Sequence, residues 1–510
     1  MTAEIWDVVI VGAGLSGLSA AHLLRKRNPE MTILVLEGKD RVGGRTLSME
    51  IPAANGVDCW DFGGQWVGST QTHVLDLIKE LGLETYLQYN TGKKVHHMGG
   101  PNARVRIYST SIPLLSPLVI LDFAQLLWKI NRLCATVCVE DPSRTPNAAE
   151  LDSMTLHSYV EQHAWTAELK EELGMCSRSV FGIEPAQMSF LFFLMYAAAS
   201  GGLLPLLEST PGSAQELKIK GGTQQLSEHL AERLGWKNVQ LGSTVKAIWQ
   251  DAEWARVMTA INTFMCRAVI VTCPPHLAAK IQYQPALPSQ REFLTQNMPV
   301  GHMIKFIITY QTAFWREKGL SGEIVAGSST DCPFCVTFDA TSLSGNAALV
   351  GFIAGELATQ WSSREDWAKE DYSGGCPVNV MAPGLLTYYH PSLRNPCGRI
   401  HWAGTETATQ WCGYMSGAIQ SGQRAALEVL AELCPTVLTQ EEQEAVRRGQ
   451  TVKAPFKRRQ SSWLTYLPSG KTLVISTMTI STAVLLARHP NALLKVKSYF
   501  TSGLLNNHAQ

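Results

Sequence analysis

The chain has 510 residues, 17% of them charged, and a formal net charge of zero. Ordinary globular chains carry about 25% charged residues, so a large apolar core is expected, and a neutral balance gives no field that would draw nucleic acid. Twelve scattered cysteines follow an opening, MTAEIWDVVIVGAG, with no basic region or cleavage site. They read as reduced thiols, not as a disulfide framework.

In chain order, DVVIV at 7–11 is a short apolar strand, and GAGLSG follows at once. LSAAHLLRKR reads as a helix, and TILVLE as a second strand ending in Glu37. Together they form a βαβ unit with a right-handed crossover. THVLDLIKELG at 72–82 is helical and closed by glycine. SIPLLSPLVILDFAQLLWKI and SFLFFLMYAAA are apolar helical runs without a charged cluster. Residues 236–275 read as strands, and HMIKFIITY is a strand that carries Lys305. The CPFC run at 332–335 has no second pair to suggest zinc and no βαβ frame to suggest redox work, so it is read as structural. No metal site is expected. SGAIQSGQRAALEVLAEL at 416–433 is helical. VKAPFKRRQSSW is linker-like, and the chargeless run 472–487 follows it, flanked by Lys471 and Arg488. A full membrane span wants about 20 apolar residues. This run is shorter, and is read as a single anchor whose flanking cations snorkel; the alternative is a buried or interfacial helix.

Gly12, Gly14 and Gly17 form GxGxxG between a strand and a helix, the setting its mechanism requires. The first glycine permits the tight turn, the second lets a pyrophosphate approach, and the third lets helix and strand pack closely. The helix start offers N–H groups to phosphate, and Glu37 stands where a ribose hydroxyl would bind. GKDRVGGRT then brings Arg41, Gly43, Gly44 and Arg45, and DFGGQWVG a further Gly-Gly. Arginines and close-approach glycines here suit an extended FAD better than a nicotinamide.

The run DVVIVGAGLSGLSAAHLL…VLEGKDRVGGRT resembles the FAD-binding start of the flavin amine oxidase superfamily. RIHWAGTETATQWCGYMSGAIQSGQRAA at 399–426 resembles its second FAD motif. SGGC, ending at Cys376, and GGLLPLLESTPGSAQELKIKGG narrow the resemblance to the monoamine oxidases. The resemblance implies an α/β and α+β fold, with a Rossmann-like FAD-binding domain interleaved with a substrate domain of mixed sheet and helices. FAD-binding segments would occupy 5–90, 216–285 and 386–435, and substrate segments 91–215 and 286–385. A linker at 436–471 and a membrane anchor and tail at 472–510 would follow. Cys376 matches the cysteine that bonds the flavin 8α-methyl. Ser16, Val245, Glu406 and Met415 join the FAD contacts. Lys305 matches the lysine that holds a water near flavin N5, Tyr414 one wall of an aromatic cage, and Gln215 a substrate-facing glutamine. Leu207 falls near a gating aliphatic residue, and Trp367 would lie beside the flavin and its cysteine. The implied reaction converts a small aromatic or aliphatic amine to an imine, then to aldehyde and ammonia, with O2 leaving as hydrogen peroxide. The family also implies the mitochondrial outer membrane, a tail anchor, a cytosolic catalytic part and, often, a homodimer. Alternatives are a polyamine or L-amino-acid oxidase with noncovalent FAD, or a catalytically impaired flavin protein. Two departures stand out. Pro377 replaces the tyrosine of the cage's second wall. Between GFIAGELATQ and EDWAKEDYSGGC only WSSR bridges a longer family segment.

Overall fold

The computed structural model describes residues 5–98, 105–109, 115–329, 332–361 and 371–449. Trp367 and the run 472–487 lie outside them. Among the described residues no helix is long and apolar enough to cross a membrane.

Strand Ile5–Val11 sits at the centre of an eight-stranded sheet. It pairs in parallel with Ile33–Leu36 on one side and Thr263–Val271 on the other. Val8, Val9 and Ile10 are fully buried, as expected for a parallel strand covered on both faces. Val239–Gln240 extends the sheet in parallel beyond Ile33–Leu36, and Ile400–Trp402 joins Thr263–Val271. Helices Leu15–Arg27, Gln225–Leu234 and Met415–Leu433 share one apolar cluster on this sheet. Two of them approach at backbone distance: a Cβ on Gly422 would lie 2.1 Å from the Ser16 carbonyl oxygen. So the second motif, some 400 residues along the chain, rests directly on the first.

A six-stranded sheet runs in the order Met303–Thr309, Ala348–Ala354, Phe334–Asp339, Leu320–Ala326, Lys93–His97 and Arg106–Tyr108. All pairs are antiparallel except Leu320–Ala326 with Lys93–His97. The apolar runs form helices Pro117–Cys134 and Phe190–Ala199, which join six further helices in a second core. Phe190–Ala199 is apolar all round and almost wholly buried, the environment such a helix requires. The stretch expected as a linker from residue 436 begins instead with a helix, Gln440–Arg447. Its N-terminus carries a capping box on Thr439, and Glu442 docks to Arg27 at 2.5 Å. The sequence reading missed it because the helix is mostly polar. No disulfide joins the described cysteines.

Candidate functional site

A cavity of about 560 Å³ runs from the glycine loop of the first sheet to the face of the second. At its nucleotide end the geometry is set by glycine. Gly12 has φ +105°, and a Cβ there would lie 2.6 Å from Thr272 Oγ1. A Cβ on Gly17 would meet the Gly12 carbonyl oxygen at 2.0 Å. Gly14 differs: nothing comes nearer than 3.9 Å to its Cβ position. Open space is therefore kept in front of a helix whose first turn has no side-chain cap, and its N–H groups are left for an anion. Ser16 lines this end, and its Oγ accepts from the Gly404 N–H at 2.9 Å. Glu37 is buried, accepts from the N–H groups of Ala13 at 2.7 Å and Lys39 at 3.0 Å, and lines the cavity with Val245. Gly44 lines it too, while Gly17 and Arg41 do not. The Arg41 guanidinium donates to the carbonyls of Gly44 and Thr46, both at 3.1 Å, and so ties the 43–46 loop.

Arg45 links the two motifs. Its Nη atoms reach Glu406 at 2.6 and 3.1 Å, and Nη1 also donates to the Pro377 carbonyl at 2.8 Å. Burial alone would push the Glu406 carboxyl up; the guanidinium outweighs it and holds that group below the usual carboxylate range. Glu406 itself sits behind the cavity wall.

At the other end Lys305 projects from Met303–Thr309, buried, with Nζ donating to the Gly63 carbonyl at 3.0 Å and to Gln65 Oε1. Burial pushes its ammonium down to about 7, with Asp61 only partly opposing this. Trp66 and Phe352 present their rings to Nζ at 5.9 and 5.8 Å. Across the cavity Tyr414 precedes helix Met415–Leu433, against Tyr196 at 6.0 Å and Trp411 at 5.1 Å between ring centroids. Burial raises both phenols and keeps them neutral. Gly413 makes the contact feasible: a Cβ there would lie 2.3 Å from Tyr196 Oη. Met415 lines the cavity at the helix start. Gln215 donates from Nε2 to the Leu206 carbonyl at 3.1 Å, while its buried Oε1 has no hydrogen-bond partner in the structure. A buried orphan acceptor in a cavity wall is a place for a ligand donor. Leu207 lines the same wall.

Cys376 lies between these ends. Its N–H donates to the Gly301 carbonyl at 2.9 Å, and Sγ contacts the Met303 carbonyl at 3.6 Å. The two glycines before it are sterically required. A Cβ on Gly375 would lie 2.7 Å from the Gly301 carbonyl oxygen, and one on Gly374 3.0 Å from His276 Nε2. The peptide to Pro377 is cis, and Pro377 lines the cavity. Gln65, Trp66, Tyr196 and Asp61 were not singled out from the sequence. Gln65 and Trp66 stood inside the quoted DFGGQWVG, where the glycines drew the reading; Tyr196 stood in an apolar helix, where a core tyrosine is the ordinary case.

The residues present fit an FAD: an uncapped helix start with open space before it, an acidic residue at the ribose position, and a second uncapped helix start at Met415. The family model for flavin containing amine oxidoreductases matches residues 15–366 and 362–430. A probable flavin-containing monoamine oxidase A from Dictyostelium discoideum is 35% identical over 84% of this chain and 98% of its own. A flavin-containing amine oxidase A from Bos taurus is 36% identical over 84% and 86%. Among solved structures, a putrescine oxidase bound to putrescine is 28% identical with a TM-score of 0.79, covering 84% of this chain and 100% of that one. A cyclohexylamine oxidase from Brevibacterium oxydans gives 28% and 0.77 over the same shares. With its family model matched over most of its length and relatives of 35–36% identity aligned over 84% of it, the chain belongs to the flavin-containing amine oxidoreductase family.

Proposed function

We propose that this chain oxidatively deaminates small amines, with FAD held covalently by a thioether from Cys376. One observation carries the reading: Cys376, Lys305, Tyr414 and Gln215 line a single cavity that is continuous with the glycine loop. The bound flavin would take two electrons and a hydrogen from the carbon beside the amine nitrogen and pass the electrons to O2. The chain's own residues bind and orient. Tyr196 and Tyr414 offer neutral ring faces, which also attract a cationic amine on its approach. Gln215 Oε1 can accept an amine N–H, and the apolar wall favours the uncharged amine at the reacting position. Lys305, depressed to about 7, can hold a proton or release it at neutral pH, and would hold a water through Nζ. Trp367, Glu37, Ser16, Val245 and Arg45 keep the roles that the resemblance implies, whereas Arg41 and Glu406 act from outside the lining, on the 43–46 loop and on Arg45. Hydrogen peroxide release from purified protein, on a panel of benzylic, indole and aliphatic amines, tests the reading. Release is expected on at least one class; none from fully flavinylated protein would favour an impaired flavin protein instead.

Attachment to the mitochondrial outer membrane through 472–510 and a homodimer are also proposed, on the sequence resemblance to the monoamine oxidases alone. Alkaline extraction of fractionated mitochondria tests the first: the full chain should stay in the pellet, and a chain ending at 449 should not.

A further inference from the structure

His276 stands behind the cavity lining, in helix Pro275–Ala278, which follows strand Thr263–Val271. The connection between them carries Thr272, whose hydroxyl donates to the Val11 carbonyl at 2.9 Å and so ties this segment to the glycine loop. The two ring nitrogens of His276 reach opposite ends of the loop that bears Cys376. Nε2 meets the Ser373 carbonyl at 2.7 Å, and Nδ1 meets Asn379 Oδ1 at 3.0 Å. Asn379 Nδ2 donates to the Met298 carbonyl at 2.8 Å, which turns the amide so that Oδ1 faces the ring. Ser373 and Asn379 lie equally far before and after Cys376 in the chain. Fully extended, that stretch would span roughly 20 Å; here a single imidazole holds both its ends. A Cβ on Gly374 would lie 3.0 Å from Nε2, so the first glycine of the Gly-Gly pair is what admits the ring. Ser373 is gripped from the nucleotide end as well, with Lys39 Nζ donating to its Oγ at 3.2 Å.

Resting on the reading of Cys376 as the flavin tether, we propose that His276 is a positioning residue for making that tether. It clamps residues 373–379 so that Sγ keeps one position while the thioether forms. In that step a C–S bond replaces the thiol S–H and one C–H of the flavin 8α-methyl. The two hydrogens, with their electrons, pass to the flavin, and O2 then takes them up as hydrogen peroxide. His276 acts on this step through the loop alone. A loop with two adjacent glycines loses much backbone freedom when it is fixed, and a misplacement of about 1 Å can slow a reaction about 100-fold. The clamp opposes both.

The test uses the full-length chain made flavin-free in riboflavin-starved cells and then given saturating FAD. Intact mass of acid-denatured samples follows the covalent adduct with time, and quenching of FAD fluorescence measures binding before attachment. His276→Ala should bind FAD as wild type does, yet gain the adduct about tenfold more slowly or worse. His276→Gln, whose one amide nitrogen carries two donors, should recover most of that rate. Asn379→Ala opens one end of the clamp and should slow the adduct less; if His276→Ala does not fold, an unchanged rate in Asn379→Ala overturns the proposal. Equal rates in wild type and His276→Ala would overturn the clamp and leave the tether standing. A rate lost together with FAD affinity and thermal stability, in His276→Gln as in His276→Ala, would mark the residue as merely structural and overturn it too. No adduct on wild type would sink the tether, and the clamp with it.

Discussion

The two ends of the cavity are built differently. The nucleotide end is made of backbone: Gly12 and Gly17 are forced by contacts of 2.6 and 2.0 Å that a Cβ would make, and Gly14 by the space it leaves open. The substrate end is made of side chains from distant segments, Tyr196, Gln215, Lys305, Cys376 and Tyr414. Its polar atoms are incompletely satisfied, as at Gln215 Oε1. The first kind of site tolerates almost no substitution, because each change strains the main chain. The second should be graded, with single changes altering rate and preference while the fold persists.

The sharpest way to break that contrast is Gly17→Ala. Its Cβ collides with fixed backbone, so loss of soluble flavoprotein is expected, read as flavin absorbance per folded protein; normal flavin content would refute the steric account. Next comes Arg45→Ala, which leaves Glu406 buried and uncompensated and should cost about 3 kcal/mol or more, measured by denaturant unfolding. Lys305→Met should keep the fold and lose most turnover. It also carries a sign in pH. The Lys305 ammonium is depressed from 10.5 to about 7, so the unfolded chain binds more protons between those values. Wild-type stability should therefore rise with pH across that window, while below about 7 the desolvation cost is present in full. In flavin-free protein the Lys305→Met variant should lack this rise, and identical pH–stability curves would count against a buried ammonium. The smallest effect is expected from Pro377→Tyr, a several-fold rise in turnover on benzylic or indole amines, since it supplies a second ring opposite Tyr414. An unchanged rate would show that Tyr196 already serves as that wall.

The same contrast explains what could be read from the sequence. Strands Ile5–Val11 and Ile33–Leu36, with the helix between them, were legible because period, glycine spacing and phosphate chemistry all point one way there. Lys305 and Tyr414 were reached through motif resemblance, not through pattern: a lysine in an apolar strand and a tyrosine after glycine carry no signal of their own. Tyr196 and Gln65 were missed because their roles come from pairing in three dimensions. Helix Gln440–Arg447 escaped because a capped polar helix looks like a linker until its partner Arg27 is in place.

Everything at the substrate end depends on where the flavin ring lies, and Cys376 is the residue proposed to fix it. The direct measurement is the intact mass of acid-denatured protein, for wild type and for Cys376→Ala. The account predicts an FAD adduct on wild type that maps to the peptide containing Cys376 and is absent from the variant. FAD recovered wholly in the supernatant from wild type, or an adduct that survives in Cys376→Ala, would contradict it.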